Sequence, residues 1–505
     1  MKPYLILLFL VSVFLFLFFI TVLFPKNGIY IGDHIHLRFT NIDDLIKRDT
    51  VKYADITRII ENYKADLEIE EPEDTSKTIE VEDTTRIGNI VIEQETKVEL
   101  KDTIAILADS LKNLTYPIEL PPLNPTVLYP VFKDLHYLKK TKTLIRLLHY
   151  GDSQIEGDRI TSFLRNKIQT LFGGSGCGLL PPVPMDHGLI SFRQKYSPNW
   201  VRYAAYNNEV KIGRHLRYGA LLSFAGQAET NPGKLTGTSS WLSFSPTKMG
   251  YRNSRLFNKV SLFLTNTTDT IKLKVRVQKS IIDTRILPPN QGLTEINWEF
   301  KKVPKELIFS FEGKGKPEIY GISFDNNWGV AVDNIPLRGS SGLVFSKTDT
   351  AFLNEMYKKL NVRMLILQFG GNIVPLRADD YSFYERYFRR ELNVLKNMLP
   401  GVPVIVIGPS DMSLKEKDSY ITYPNLTKVR DALKNATFDS GYAFWDMYEA
   451  MGGENSMPSW VNADPPLAVP DFVHFNTRGT KIIAEMFYNA FLLEYNKWLS
   501  ESSTN

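Results

Sequence analysis

Apolar positions along the chain fall into four patterns. Residues 4–24 are apolar around the whole helical circumference, and about twenty such residues suffice to cross a bilayer as a helix. The run passes through Phe18, Phe19, Leu23 and Phe24 into Pro25 and Lys26 without the small residues of a cleavage site, so it predicts an uncleaved, single-pass signal anchor. Lys2 and Lys26 balance each other and leave its orientation open. From 27 to 130 no period holds, and the middle of that stretch is acidic, from Asp66 through Glu68, Glu70, Glu71 and Glu73 to Asp74. Repelling carboxylates extend a chain, so residues 26–130 read as a solvated stalk.

A third pattern begins at 143–150, where Thr-Leu-Ile-Arg-Leu-Leu-His-Tyr makes an apolar run of strand length. It leads through Gly151-Asp152-Ser153-Gln154 into a helical spacing carried by Ile155, Ile160, Phe163, Leu164 and Ile168. The alternation resumes after about Gly329, with helices predicted over 352–360, 381–397, 426–434 and 478–498. Strands are predicted between them over 362–369, 402–407 and 442–445. Strands alternating with helices argue a parallel sheet covered on both faces, a three-layer α/β/α domain formed by 131–179 and 329–499. Between these blocks, over 180–328, the period changes to two in short segments such as 260–264, 271–277 and 307–311. This predicts an inserted β-sandwich or jelly roll with a core of its own and adjoining ends. Its Trp200, Tyr203, Trp241 and Trp298 either fill that core or form a platform for stacking on sugars.

Composition narrows the classes. With 505 residues, 43% hydrophobic and 23% charged, the chain buries a large core. A net charge of +4, with basic and acidic residues interspersed, speaks against a nucleic-acid partner. One cysteine, Cys177, excludes an internal disulfide framework and a zinc site built from several thiolates. His34 and His36 share a strand face but have no evident third ligand, so neither metal nor organic cofactor is expected.

The candidate chemistry lies where strands meet helices. Ser153 follows a buried strand and opens a helix, where its hydroxyl is exposed and its N–H faces a developing oxyanion; Ser and Asp also serve there as helix caps. Near the other end, Asp471 stands three residues before His474, just ahead of the last helix. A serine hydroxyl needs a base, and a carboxylate on the far ring nitrogen fixes the imidazole tautomer and stabilises the imidazolium. Gly370-Gly371-Asn372 follows a predicted strand at its carboxyl end, where open α/β sheets bind ligands, and Asn372 supplies a side-chain N–H. Gly339 supplies a backbone N–H without a side chain in the way. Each of these glycine segments alone also fits an ordinary turn.

Taken in order, Gly-Asp-Ser, an isolated Gly, Gly-x-Asn and Asp-x-x-His resemble the four sequence blocks of the SGNH/GDSL hydrolase family. The resemblance covers about 144–178 and 330–492. It implies Ser153 as nucleophile, Asp471 and His474 as its triad partners, and Ser153, Gly339 and Asn372 as the oxyanion hole. Pro336 and Arg338 make the surroundings of the glycine block unusual. The segment Gly173-Gly-Ser-Gly-Cys-Gly178, the β insertion and residues 444–453 are similar to bacterial peptidoglycan O-acetylesterases with an inserted carbohydrate-binding-like domain. That likeness implies an esterase acting on O-acyl, chiefly O-acetyl, groups of envelope polysaccharide, anchored in the cytoplasmic membrane and facing the periplasm. Related anchored proteins act beside membrane-bound O-acyltransferases, so an O-acetyltransferase delivering acetyl to a glycan hydroxyl stays open. So does a non-catalytic glycan-binding protein.

Overall fold

The computed structural model describes residues 3–23, 29–31, 35–37, 51–63, 116–185, 191–206, 215–227 and 239–504. The chain forms two compact units, Met1–Lys52 and Tyr53–Asn505. In the first, Pro3–Leu23 is a helix whose residues Tyr4–Leu23 have a mean hydropathy of 3.2, long and apolar enough to cross a membrane. A short antiparallel pair, Ile29–Ile31 with Ile35–Leu37, follows it.

The second unit is built on a five-stranded, all-parallel sheet. Its order is Gly329–Pro336, Leu144–Gly151, Val362–Gln368, Val404–Ile407, Ala443–Trp445. Every residue of Leu144–Gly151 after the first is buried, as expected of a strand covered on both faces. Helices Thr161–Phe172, Thr350–Lys359, Ser382–Met398, Leu426–Asp439 and Thr477–Thr504 supply that cover. Ser382–Met398 buries Tyr384, Phe388, Leu392 and Leu395, a stripe spaced by four, four and three residues. Thr350–Lys359 starts where the Asp349 carboxylate accepts the N–H groups of Ala351 and Phe352. In chain order the first strand, Leu144–Gly151, lies inside the sheet, with the second, Gly329–Pro336, and the third, Val362–Gln368, on opposite sides of it. That arrangement opens a crevice at the carboxyl ends of Leu144–Gly151 and Val362–Gln368.

Two antiparallel sheets make up the insertion. One runs Ser280–Leu287, Ile271–Val277, Leu307–Gly313, Ser239–Pro246, Phe192–Tyr196; the other runs Asn290–Glu299, Lys259–Asn266, Pro317–Asp325, Ser223–Gln227, Trp200–Ala204, with Gly178–Leu180 also on Pro317–Asp325. Between them lies a core including Leu242, Phe244, Leu262, Leu273, Phe309, Phe311 and Phe324. Trp200 and Trp298 are buried in that core and packed edge-on or tilted against Phe311 and Phe309, so these two tryptophans fill space. The glycine-rich entry is explained by close backbone approach: a Cβ at Gly176 would sit 2.0 Å from the Phe324 carbonyl oxygen, and one at Gly178 2.0 Å from Asp333 Oδ1. Cys177 between them is buried, and burial pushes its thiol well up, as for an inert packed residue.

Parts of the stretch read as a stalk belong to this second unit. Helix Thr57–Asn62 follows the buried Ile56, and the Ala54 N–H donates to the Asn455 carbonyl (3.2 Å). Glu119 makes an antiparallel bridge to Phe444, and Val127 and Leu128 are buried at the start of helix Tyr129–Thr141. The acidic run around Asp66–Asp74 lies outside the described residues.

Candidate active site

The crevice at the carboxyl edge of the sheet is an open cleft. Ser153, Asn372 and His474 line it, with Asp152, Gly408, Pro409 and Tyr423 among its other walls. Ser153 begins a tight helical turn directly after Leu144–Gly151, and the Asp152 carboxylate caps that turn by accepting the Gln154 N–H (3.0 Å). From the far end of the sequence, the loop ahead of Thr477–Thr504 brings His474 against the serine. Ser153 Oγ lies 2.9 Å from His474 Nε2, and His474 Nδ1 lies 2.7 Å from Asp471 Oδ2.

The protonation pattern follows from the partners. A carboxylate only accepts, so Nδ1 carries the proton facing Asp471, and Nε2 is left as the acceptor for the serine hydroxyl. Asp471 Oδ1 accepts two backbone N–H groups, those of Val473 (2.9 Å) and His474 (3.0 Å). Partial burial pushes the Asp471 carboxyl up, but the His474 N–H, the His474 ring and the Val473 N–H outweigh it and hold the carboxyl below its usual range. Ser153 Oγ, His474 Nε2 and Nδ1, and Asp471 Oδ2 therefore form a chain able to withdraw the Ser153 proton and hold the resulting positive charge.

Asn372 stands just past Val362–Gln368, its side-chain amide donating to the Ser340 carbonyl (3.1 Å) and to Asp152 Oδ2 (3.4 Å). Gly339 occupies the turn after Gly329–Pro336, with a φ of 74° that suits glycine, and directly precedes the Ser340 whose carbonyl receives that amide. The fold thus gathers Ser153, Asp471 and His474 into one hydrogen-bonded line, sets Asn372 beside Asp152, and leaves Gly339 on the adjoining turn.

Three supporting residues were not singled out from the sequence. Gln154 Nε2 donates to the Val473 carbonyl (2.8 Å) and so ties the serine turn to the histidine loop. Arg159 does the same from the other side, donating to the carbonyl oxygens of Ser153 (2.5 Å) and Phe475 (3.4 Å). His149, one strand position before Tyr150, is fully buried between Gln368 Oε1 (3.1 Å) and Thr161 Oγ1 (2.9 Å); burial lowers its pKa to about 3, so it is a neutral packing residue. No spacing in the sequence signals such cross-chain contacts.

No family model matches the chain, and no curated protein matches it. Among solved structures it is similar to a peptidoglycan O-acetylesterase, at 21% identity and a TM-score of 0.59, over 73% of this chain and 96% of that one. Looser similarities are to a family two carbohydrate esterase from Cellvibrio japonicus (8% identity, TM-score 0.23, 61% of this chain and 99% of that one) and to an acetyl xylan esterase (15%, 0.26, 32% and 81%). The first superposition shows that the chain shares the fold of that structure; the other two superpose too loosely to bear on the argument.

Proposed function

We propose that this chain of SGNH/GDSL hydrolase-like fold is a membrane-anchored serine esterase that removes O-acyl groups, chiefly O-acetyl, from an envelope polysaccharide such as peptidoglycan. The observation that carries the proposal is the Ser153–His474–Asp471 line, with contacts of 2.9 and 2.7 Å at the mouth of an open cleft. His474 Nε2 takes the Ser153 proton as Oγ bonds to the acyl carbon. Ser153 N–H, Gly339 N–H and Asn372 hold the oxyanion, Asn372 turning to it the N–H that makes the longer bond to Asp152. Collapse breaks the bond to the sugar oxygen, which leaves with the proton from His474. Water then enters; His474 removes its proton as the water oxygen bonds to the acyl carbon, and collapse breaks the Ser153 Oγ–acyl bond, Oγ taking the proton back from His474 as the carboxylic acid leaves.

The apolar helix Pro3–Leu23 supports attachment to the cytoplasmic membrane, and a polymeric envelope substrate requires the cleft on its outer, periplasmic side. A membrane-bound O-acyltransferase is the partner suited to this placement. The test gives the full-length protein in detergent a chromogenic acetyl ester, then O-acetylated peptidoglycan with and without an unacetylated glycan acceptor. Free acetate released in proportion to substrate lost is expected. Acetate appearing on the acceptor would make the protein a transferase, and no turnover of either substrate would leave it a glycan-binding protein.

A further inference from the structure

The loop that carries Asp471 and His474 holds a strained residue between them. Phe472 has a φ of 58°, the left-handed region that a side chain with a Cβ occupies only at an energetic cost. Such a conformation persists where the surroundings over-determine it. Here it closes the turn in which Asp471 Oδ1 accepts the N–H groups of Val473 and His474, so the strain and the alignment of the imidazole belong to one piece of backbone.

One neighbouring element supplies much of the restraint. The hairpin Ser413–Glu416 with Ser419–Thr422 runs beside the loop. Its Ser413 N–H donates to the Phe472 carbonyl (3.0 Å), and its Tyr420 ring lies parallel to the Phe472 ring, 7° between planes and 3.5 Å between centroids. The hairpin is itself anchored at its base: the buried Asp411 accepts the Thr422 hydroxyl (2.7 Å) and the Met457 N–H (2.7 Å). Neither Tyr420 nor Phe472 lines the cleft, and ester hydrolysis needs no aromatic pair at that place.

We propose that Tyr420 is a positioning residue: by stacking on Phe472 it clamps the strained turn that aims His474 Nε2 at Ser153 Oγ. The proposal rests on the triad reading given above. It accounts for an aromatic residue in a left-handed conformation at 472, where glycine would be unstrained but would provide no ring to clamp.

The test uses the full-length protein and a small chromogenic acetyl ester, with Ser153→Ala measured alongside. Small misplacements of a catalytic group cost on the order of tenfold to a hundredfold in rate, so Tyr420→Ala should lose that much in kcat with KM within about twofold. Tyr420→Phe keeps the stack and should restore kcat to within about twofold of the unmutated protein. Phe472→Leu removes the ring from the other side and should repeat the loss, which keeps the test decisive if Tyr420→Ala folds poorly. Unmutated kcat in Phe472→Leu or Tyr420→Ala, with Ser153→Ala inactive, overturns the clamp and leaves the triad standing. A loss in Tyr420→Phe equal to that in Tyr420→Ala also overturns it, because the hydroxyl and not the stack would then matter. Turnover retained by Ser153→Ala would instead overturn the triad reading and the clamp with it.

Discussion

Asp152 sits directly before the candidate nucleophile, buried, where it caps the serine turn and receives the Asn372 amide. Burial pushes its carboxyl up to about 6, against the Gln154 N–H and the charges of His474 and Arg159, which pull it down; the Tyr384 phenol also faces it. Its folded pKa lies above its unfolded value of 3.8, so the stability this group contributes is fully present below 3.8 and is lost as pH rises through about 6. Asp152→Asn removes that dependence. Its unfolding free energy relative to the unmutated protein should therefore move in its favour by about 3 kcal/mol between pH 3.5 and 7, read from urea titrations at the two pH values. A difference that stays flat would contradict the assignment. At this scale the sequence made Ser153, Asn372, Asp471 and His474 legible, because their residue types stand in order at strand ends and before a helix. The roles of Asp152, Gln154 and Arg159 depend on partners more than two hundred positions away in several cases, as for Asp152 with Asn372 and Gln154 with Val473, and no local spacing encodes them.

The strand Leu144–Gly151 contains Arg146, a charge inside an otherwise apolar run that reads from sequence simply as a buried strand. The guanidinium is buried and donates to Asp333 (2.7 and 2.9 Å) on the neighbouring strand Gly329–Pro336 and to Asp325 (2.6 Å) on Pro317–Asp325 of the insertion. One side chain thus joins two sheets. Removing a single partner from a buried ionic group leaves uncompensated charge, so Arg146→Met should cost about 3–5 kcal/mol, seen as a lowered urea midpoint. An unchanged midpoint would mean the two aspartates are satisfied without it. Periodicity marks four of the five strands of the parallel sheet and most of the length of their covering helices, since long amphipathic stripes such as that of Ser382–Met398 leave a strong signal, but the edge strand Gly329–Pro336 is not among the elements it predicts. Helix Tyr129–Thr141 went unread although Val131, Phe132, Leu135 and Leu138 form its buried stripe, because it opens at Pro130, on the edge of an aperiodic stretch.

At the scale of the whole molecule, the ends of the insertion adjoin: Leu179 pairs with Ser323 where the chain enters and leaves. We propose 180–328 as its boundaries, yet its packing is not self-contained. Tyr218, Leu221, Phe224 and Tyr320 belong to the same core as the parallel sheet, and the Tyr150 hydroxyl, deep in that sheet, bonds to the Ala220 carbonyl (2.6 Å). The period-two pattern revealed the sheets but could not show which residues turn outward onto the other core. Replacing 180–328 with a Gly/Ser linker should therefore strip the parallel sheet of packing and lower its melting temperature sharply. A product that melts like the full chain and still cleaves a small acetyl ester would show that the two cores are independent.

On the proposed reaction the acyl group passes through Ser153. Rapid acid quench of the full-length protein during turnover of an acetyl ester, followed by proteolysis and mass spectrometry, should find an acetyl group on the peptide bearing Ser153, and none in Ser153→Ala, which should also be inactive on the ester. Turnover by Ser153→Ala at the unmutated rate, or acetylation on another residue with Ser153 unmodified, would rule Ser153 out as the nucleophile.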